Sequence, residues 1–181
     1  DQKITITKYN LYYDSIRYGV NLLNKAIADF KIIKKLKFNQ LIASQESYLN
    51  DYFSLCDIKI TGNADLQIGI RFNLFHIIQG VGKDQFSNIA AKGLSGEGYE
   101  GHYFWDTEMY IIPYFLLTSP NIAKNLLEYR YKILDLAREN AKLLGHKKGA
   151  LYPWRTIMGK ECSGYFPSGS AQYHINGDIA Y

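Results

Sequence analysis

The sequence predicts a mainly α-helical chain: paired helices arranged as a toroid, with long loops gathered at one end, entered through the tail of a β-strand. Three observations carry this. One short segment alone alternates apolar and polar residues, the long apolar patterns after it have the helical period, and two loop-like stretches interrupt those helices.

Taken in order, residues Ile4 to Tyr9 alternate with a period of two, as a half-buried strand does, and nothing after them reads as a pairing partner. Helical periodicity begins near Ser15. Ile16, Val20, Leu23, Ile27 and Phe30 form one stripe, and Phe38, Leu41, Ile42, Gln45, Tyr48, Leu49 and Tyr52 form a second, both read as packing faces. Residues Asn63 to Gln79 are apolar nearly all round, which predicts a helix buried on most sides, with Asn63 as its N-cap and Gly80 as its stop. Residues 80–101 carry six glycines and few apolar side chains, so they read as a long loop, a type that is usually functional or disordered.

A helix is then predicted from about Trp105 to Leu117, broken at Ser119 and Pro120, where serine can cap and proline can take the first helical position. A single long helix is expected from Asn121 to Leu144, with Ile122, Leu126, Tyr129, Ile133, Ala137, Ala141 and Leu144 on one side. Lys124 and Glu128 form an exposed pair on it, and Gly145 with Lys147 and Lys148 closes its C-terminal end. A second loop, 145–173, leads to a last helical pattern at Ile175, Ile179 and Ala180 that stops without a cap. With Asp1 in place of methionine, that ending predicts a piece of a larger protein.

Composition narrows the function classes. The net charge of +4 is spread among acids apart from short runs such as Lys34–Lys35, which is a solvated surface and not a nucleic-acid face. No apolar run reaches membrane-spanning length, so no membrane partner is expected. Cys56 and Cys162 fit neither a disulfide framework nor a zinc site, and no apolar export segment opens the chain, so a reducing cytoplasm is the expectation. No cluster of His, Cys and Asp has metal-ligand spacing, and no cofactor is expected. Sixteen tyrosines, each a flat apolar face with a polar tip, suit polar-ligand grooves as well as core packing.

The densest chemistry lies in "GHYFWDTEMYIIP", beginning at Gly101, where three aromatics, two carboxylates and a histidine fall between His102 and Met109. The preceding "GEGYEG", Gly96 to Gly101, fits a dinucleotide fingerprint, but no strand precedes it and helices follow, so its glycines are read as letting a loop fold tightly over a pocket. Asp106 and Glu108 are not a glycosidase pair, because two residues apart on a helix they point roughly 200° from each other. One faces a pocket and the other braces a neighbouring element. Asp106 beside the indole of Trp105 suits the holding of a sugar ring, a carboxylate accepting hydroxyl hydrogens next to an apolar face; the bland reading is a helix-dipole acid and a core tryptophan. The second loop repeats the theme with Trp154 and Arg155 side by side, then Glu161 and His174. Arg155 can bond hydroxyls or an anion through its fork, and His174 and His102 are further candidates, although a lone histidine is more often structural. His76, within an apolar helix, reads as a core histidine.

The segments "AAKGLSGEGYEGHYFWDTEMYIIPYF" and "SPNIAKNLLEYRYKILDLARENAKLLGHKKGALYPWRTIMGKECSGYFPSGSAQYHINGDIAY" closely resemble the first half of the catalytic barrel of glycoside hydrolase family 65, in a match running almost unbroken from about Ile68 to Tyr181. The resemblance implies an N-terminal β-sandwich, a helical linker, an (α/α)6 barrel and a small C-terminal sheet domain. Residues 1–14 would then end the sandwich, 15–62 form the linker and 63–181 the first part of a truncated barrel. It also implies inverting phosphorolysis of α-linked glucose disaccharides such as maltose, kojibiose, nigerose and trehalose, with inorganic phosphate as co-substrate and one glutamic acid protonating the departing oxygen.

In that family the acid lies in a "GPDE"-like segment and the phosphate-binding serines and histidine lie further on; none falls within this chain, so no catalytic residue is assigned. Trp105 and Asp106 carry over as glucose-holding residues, Trp154 as a wall near the scissile bond. The "PWRT" motif leans slightly toward a kojibiose or nigerose type, and likeness to the family makes the full-length protein a homodimer. Two alternatives stand beside this reading: a trehalase-like hydrolase on the same barrel, and a non-catalytic carbohydrate-binding protein. Taken alone, the chain is expected to be inactive and to self-associate.

Overall fold

A computed structural model describes residues 3–167 and 169–181. The chain is mainly helical and forms two compact units, Asp1–Ser54 and Leu55–Tyr181. In the first unit the segment from residue 3 to 14 forms no strand, contrary to the alternation of Ile4 to Tyr9. A strand exists only as a member of a ladder, and no described residue pairs with this one; Ile4 and Ile6 are exposed. The end of this segment is tied to a helix instead. Tyr9 meets Phe30 edge to face at 6.1 Å, and the Tyr13 hydroxyl donates to Asp29 at 2.6 Å.

Three helices follow. Helix α1, Ser15–Tyr18, is a single turn whose N-cap Asp14 accepts from the Arg17 amide at 2.9 Å. A 3₁₀ turn, Gly19–Asn21, leads into α2, Leu22–Ile33, and α3 spans Phe38–Cys56. The stripe of α1 and α2 does not form a buried face within the described residues: Ile16, Val20, Leu23, Ile27 and Phe30 are all exposed.

The second unit holds the core. Helix α4, Ala64–Gly80, starts at the expected cap, where the Asn63 side chain accepts from the Leu66 amide at 3.0 Å. Ahead of it, Asp57 and Arg71 make a two-pronged ion pair and Gln67 clamps Ile58 and Ile60. Only Leu74 and Ile78 of α4 are buried, while Leu66, Ile68 and Phe72 are exposed, so the expectation of burial on most sides is not met by the elements of this chain. His76 is half-buried against Phe72, with ring centroids 4.3 Å apart, rather than in the core.

The helix expected from Trp105 opens differently. Thr107–Ile111 is a π-helical turn, and regular α-helix α5 begins only at Ile112 and ends at Thr118. Helix α6, Pro120–Lys132, packs back on α5 and starts with proline in its first turn, but the Ser119 side chain makes no capping bond. The single long helix expected to Leu144 is broken at Ile133, where ψ rises to 7°, and continues as α7, Leu134–Leu143. The second loop enters at this break: a Cβ on Gly159 would stand 2.7 Å from Ile133 Cγ2, and the Leu151 amide bonds the Ala137 carbonyl at 2.9 Å. Tertiary contact thus overrides a period that continues unbroken in the sequence.

Gly145 ends α7 as expected. At φ +87° its amide bonds the Lys142 carbonyl while that of His146 bonds the Ala141 carbonyl, the pair of contacts that closes a helix on a left-handed residue. Helix α8, His174–Ala180, buries Ile175. Phe115, Ala123, Leu126, Ala137, Leu151 and Ile175 form the fully buried centre. No helix among the described residues is long and apolar enough to cross a membrane.

Candidate active site

The two long loops meet. The amide of Tyr103 donates to the Thr156 carbonyl at 2.7 Å and that of Thr156 returns the bond at 3.1 Å, an isolated antiparallel bridge that sets Phe104–Asp106 beside Trp154 and Arg155. Each side is braced from behind. Thr156, fully buried, accepts from the Gly159 amide through its hydroxyl, and Glu161 receives the Trp154 and Ser163 amides on its two carboxylate oxygens. The Arg155 carbonyl accepts from both the amide and the thiol of Cys162. Tyr129 stands edge to face with Tyr103 and donates to the Ile157 carbonyl; burial pushes its phenol well above the ordinary value.

The two carboxylates of "FWDTE" do face apart. Glu108 is buried and grips Arg130 of α6 with both oxygens, at 2.7 and 2.8 Å, while the same guanidinium donates to the Phe104 carbonyl at 2.8 Å. Arg130 and Glu108 are 1% and 6% exposed, so this is an ion pair removed from water that fixes the backbone one residue before Trp105. Asp106 points the other way, into a cavity of about 390 Å³ lined also by Ala91, Lys92, Tyr99, Phe104, Trp105 and Trp154. Phe104 is its floor, buried edge to face between Tyr99 at 5.3 Å and Trp154 at 5.4 Å. One carboxylate and one ammonium among aromatic walls offer what a polyhydroxy ring requires: flat apolar faces for its C–H surfaces, an acceptor and a donor for its hydroxyls.

Of the six residues singled out in the sequence, Trp105, Asp106 and Trp154 line this cavity, whereas His102, Arg155 and His174 are not among its lining residues. His174 contacts the Trp105 ring at 5.0 Å, with Nδ1 2.7 Å from the Asp178 carboxylate. Arg155 pairs with Glu100, and its Nε has no partner among the described residues. His102 lies 3.3 Å from the same guanidinium and directs Nδ1 at the Tyr99 carbonyl, 2.7 Å away. Sequence reasoning missed Ala91, Lys92, Tyr99 and Phe104 as lining residues. Gly98, Tyr99, Glu100 and Gly101 run consecutively at φ +100°, +54°, +48° and +77°, and two non-glycine residues in that region cost about 1–2 kcal/mol each. Among the described residues no group of three His, Cys, Asp or Glu side chains is placed to hold a metal.

Residues 71–181 match the glycosyl hydrolase family 65 central catalytic domain, and the chain belongs to that family. It is 57% identical to an α,α-trehalose phosphorylase of Geobacillus stearothermophilus over 99% of its own length and 24% of the relative's. It is 35% identical to a kojibiose phosphorylase of Caldanaerobacter subterraneus subsp. tengcongensis, over all of this chain and 25% of that protein. The solved structure of a putative kojibiose phosphorylase from human microbiome superposes with a TM-score of 0.83 at 35% identity, covering 88% of this chain and 22% of that one. The fold is accordingly part of an (α/α)6 barrel with its leading helices, and the chain spans about a quarter of the length of the relatives it matches.

Proposed function

We propose that the full-length protein is an inverting α-glucosyl disaccharide phosphorylase, and that this chain supplies the part of its pocket that holds the glucosyl unit being transferred. The observation that carries the reading is the aromatic cavity with Asp106 as the one carboxylate among its lining residues, in a chain of this family. Trp105 and Trp154 wall the ring, Asp106 accepts its hydroxyl hydrogens, and His174 braces the Trp105 indole. Arg155 and His102 act beside them at the edge of the site. An oxygen of inorganic phosphate attacks the anomeric carbon, the bond from that carbon to the bridging oxygen breaks, and a glutamic acid outside residues 1–181 protonates the leaving oxygen. The products are β-glucose 1-phosphate and the second sugar.

Among linkages, α,α-trehalose is the foremost candidate. The relatives at 57% and 54% identity are trehalose phosphorylases, whereas the kojibiose phosphorylases stand between 35% and 42%, which outweighs the leaning of "PWRT" toward kojibiose or nigerose. A helical linker ahead of the barrel, a cytoplasmic setting for the unpaired Cys56 and Cys162, and a homodimer complete the proposal.

The test is breakdown of trehalose, kojibiose, nigerose and maltose by full-length protein with and without phosphate. Phosphate-dependent release of β-glucose 1-phosphate supports the reading. Free glucose at an equal rate without phosphate makes the protein a hydrolase, and no turnover of any of the four with the "GPDE"-like glutamate absent makes it a binding protein.

A further inference from the structure

The Gly98–Gly101 segment is a strained strap at the cavity, where Tyr99 is a lining residue, and one of its anchors is an exposed carboxylate. Four successive residues hold positive φ, two of them, Tyr99 and Glu100, without the freedom of glycine. Backbone strain of this kind persists only where surrounding contacts impose it. Several contacts do so here, the Lys92 ammonium 5.9 Å from the Tyr99 ring centroid among them. The Tyr99 carbonyl accepts from both the amide and Nδ1 of His102, at 2.9 and 2.7 Å; the Tyr99 ring stacks edge to face on Phe104; and Glu100 is gripped by the guanidinium of Arg155 from the other loop. With a proton on Nδ1, His102 donates to the Tyr99 carbonyl, and Arg155 Nη2 bonds Glu100. Glu100 itself is 79% exposed, whereas Arg155 is only 20% exposed, so the arginine is a fixed post and the carboxylate the movable end.

We propose that Glu100 is a positioning residue for sugar binding: latched to Arg155, it holds the strained strap closed so that Tyr99 forms a wall of the cavity opposite Trp154. The inference rests on the reading of that cavity as the glucosyl site, and it gives Arg155 a different task from direct contact with sugar. Opening the latch lets Tyr99 and Glu100 relax to ordinary backbone, which withdraws an aromatic wall while leaving in place Trp105 and Asp106, which follow the Phe104 carbonyl that Arg130 holds.

The experiment is a charge-swap cycle in the full-length protein: Glu100→Arg, Arg155→Glu and the two combined, with Glu100→Gly as a variant that lacks the carboxylate but tolerates positive φ. Two readouts are taken, KM and kcat for the disaccharide, and hydrogen exchange at the His102 amide with α6 amides as the folding control. Each charge reversal is expected to raise KM roughly tenfold with little change in kcat and to speed exchange at His102, and the combined swap to restore most of both. Glu100→Gly is expected to speed that exchange as well. Glu100 variants with wild-type KM and exchange beside a damaged Arg155→Glu would overturn the proposal, since Arg155 would then act on the sugar directly; so would a swap that rescues nothing. Absence of phosphorolysis in the wild type counts against the proposed reaction alone. The latch is then decided by the exchange cycle and by glucose affinity measured in the same four variants.

Discussion

Removing Glu108 tests the support beneath the cavity. Arg130 is 1% exposed, and its guanidinium makes two bonds to Glu108 and one to the Phe104 carbonyl. Glu108→Ala leaves a buried cation with a single neutral partner, which costs about 3–5 kcal/mol. Replacing the pair by apolar residues of similar volume, Glu108→Leu with Arg130→Met, removes both charges and leaves only the Phe104 carbonyl unpaired, about 1–3 kcal/mol. At about 2.1 cal/mol/K of unfolding entropy per residue, a protein of the relatives' length, about four times this chain, melts about 2–3 °C lower as the single variant, and the double recovers a large part of that loss. Differential scanning calorimetry of the full-length variants reads both numbers. A Glu108→Ala midpoint within about 0.5 °C of wild type, or a double variant that falls by the sum of its singles, would refute a desolvated pair that acts as a unit.

Three other outcomes are expected. Gly159→Ala forces a Cβ to within 2.7 Å of Ile133 and 2.8 Å of Leu136 at a φ of +93°, so it lowers stability by about 1–3 kcal/mol, measured as a shift in the urea midpoint. The Arg71 guanidinium holds the Asp57 carboxyl below its ordinary value near 3.8; a depressed carboxylate contributes stability above that value and loses it as pH falls through the folded one. The melting difference between wild type and Asp57→Asn should therefore be present at neutral pH and shrink below about pH 4, and a constant difference across that range would contradict the pairing. Residues 1–181 made alone expose Val20, Leu117 and Leu143 at 99%, 88% and 84% together with many other apolar side chains, so sedimentation should find self-associated material rather than a monomer.

What the sequence disclosed was mostly local. Asn63 and Gly145 announce helix ends because the chemistry of a cap is contained in a few consecutive residues, and the opposed directions of Asp106 and Glu108 follow from helix geometry alone. Arg130 was legible in principle: it falls four residues after Leu126 on the buried side of α6, where a charge requires a partner, but only the fold shows that the partner is Glu108. The break at Ile133 and the failure of Ile4–Tyr9 to form a strand were not legible, since each depends on what lies beside the segment rather than within it. The same holds for Tyr99. "GEGYEG" suggested a tight loop over a pocket, yet which of its residues faces the cavity is set by Arg155, more than fifty positions away.

In the proposed site the glucosyl unit sits against Trp105 and is held by Asp106. Isothermal titration of glucose into full-length wild type, Trp105→Ala and Asp106→Asn tests it without reference to turnover. Affinity is expected to weaken about tenfold or more in each variant, as on losing a charge-assisted hydrogen bond or a stacked aromatic wall. Glucose affinity unchanged in both variants, with their folds intact, would contradict it.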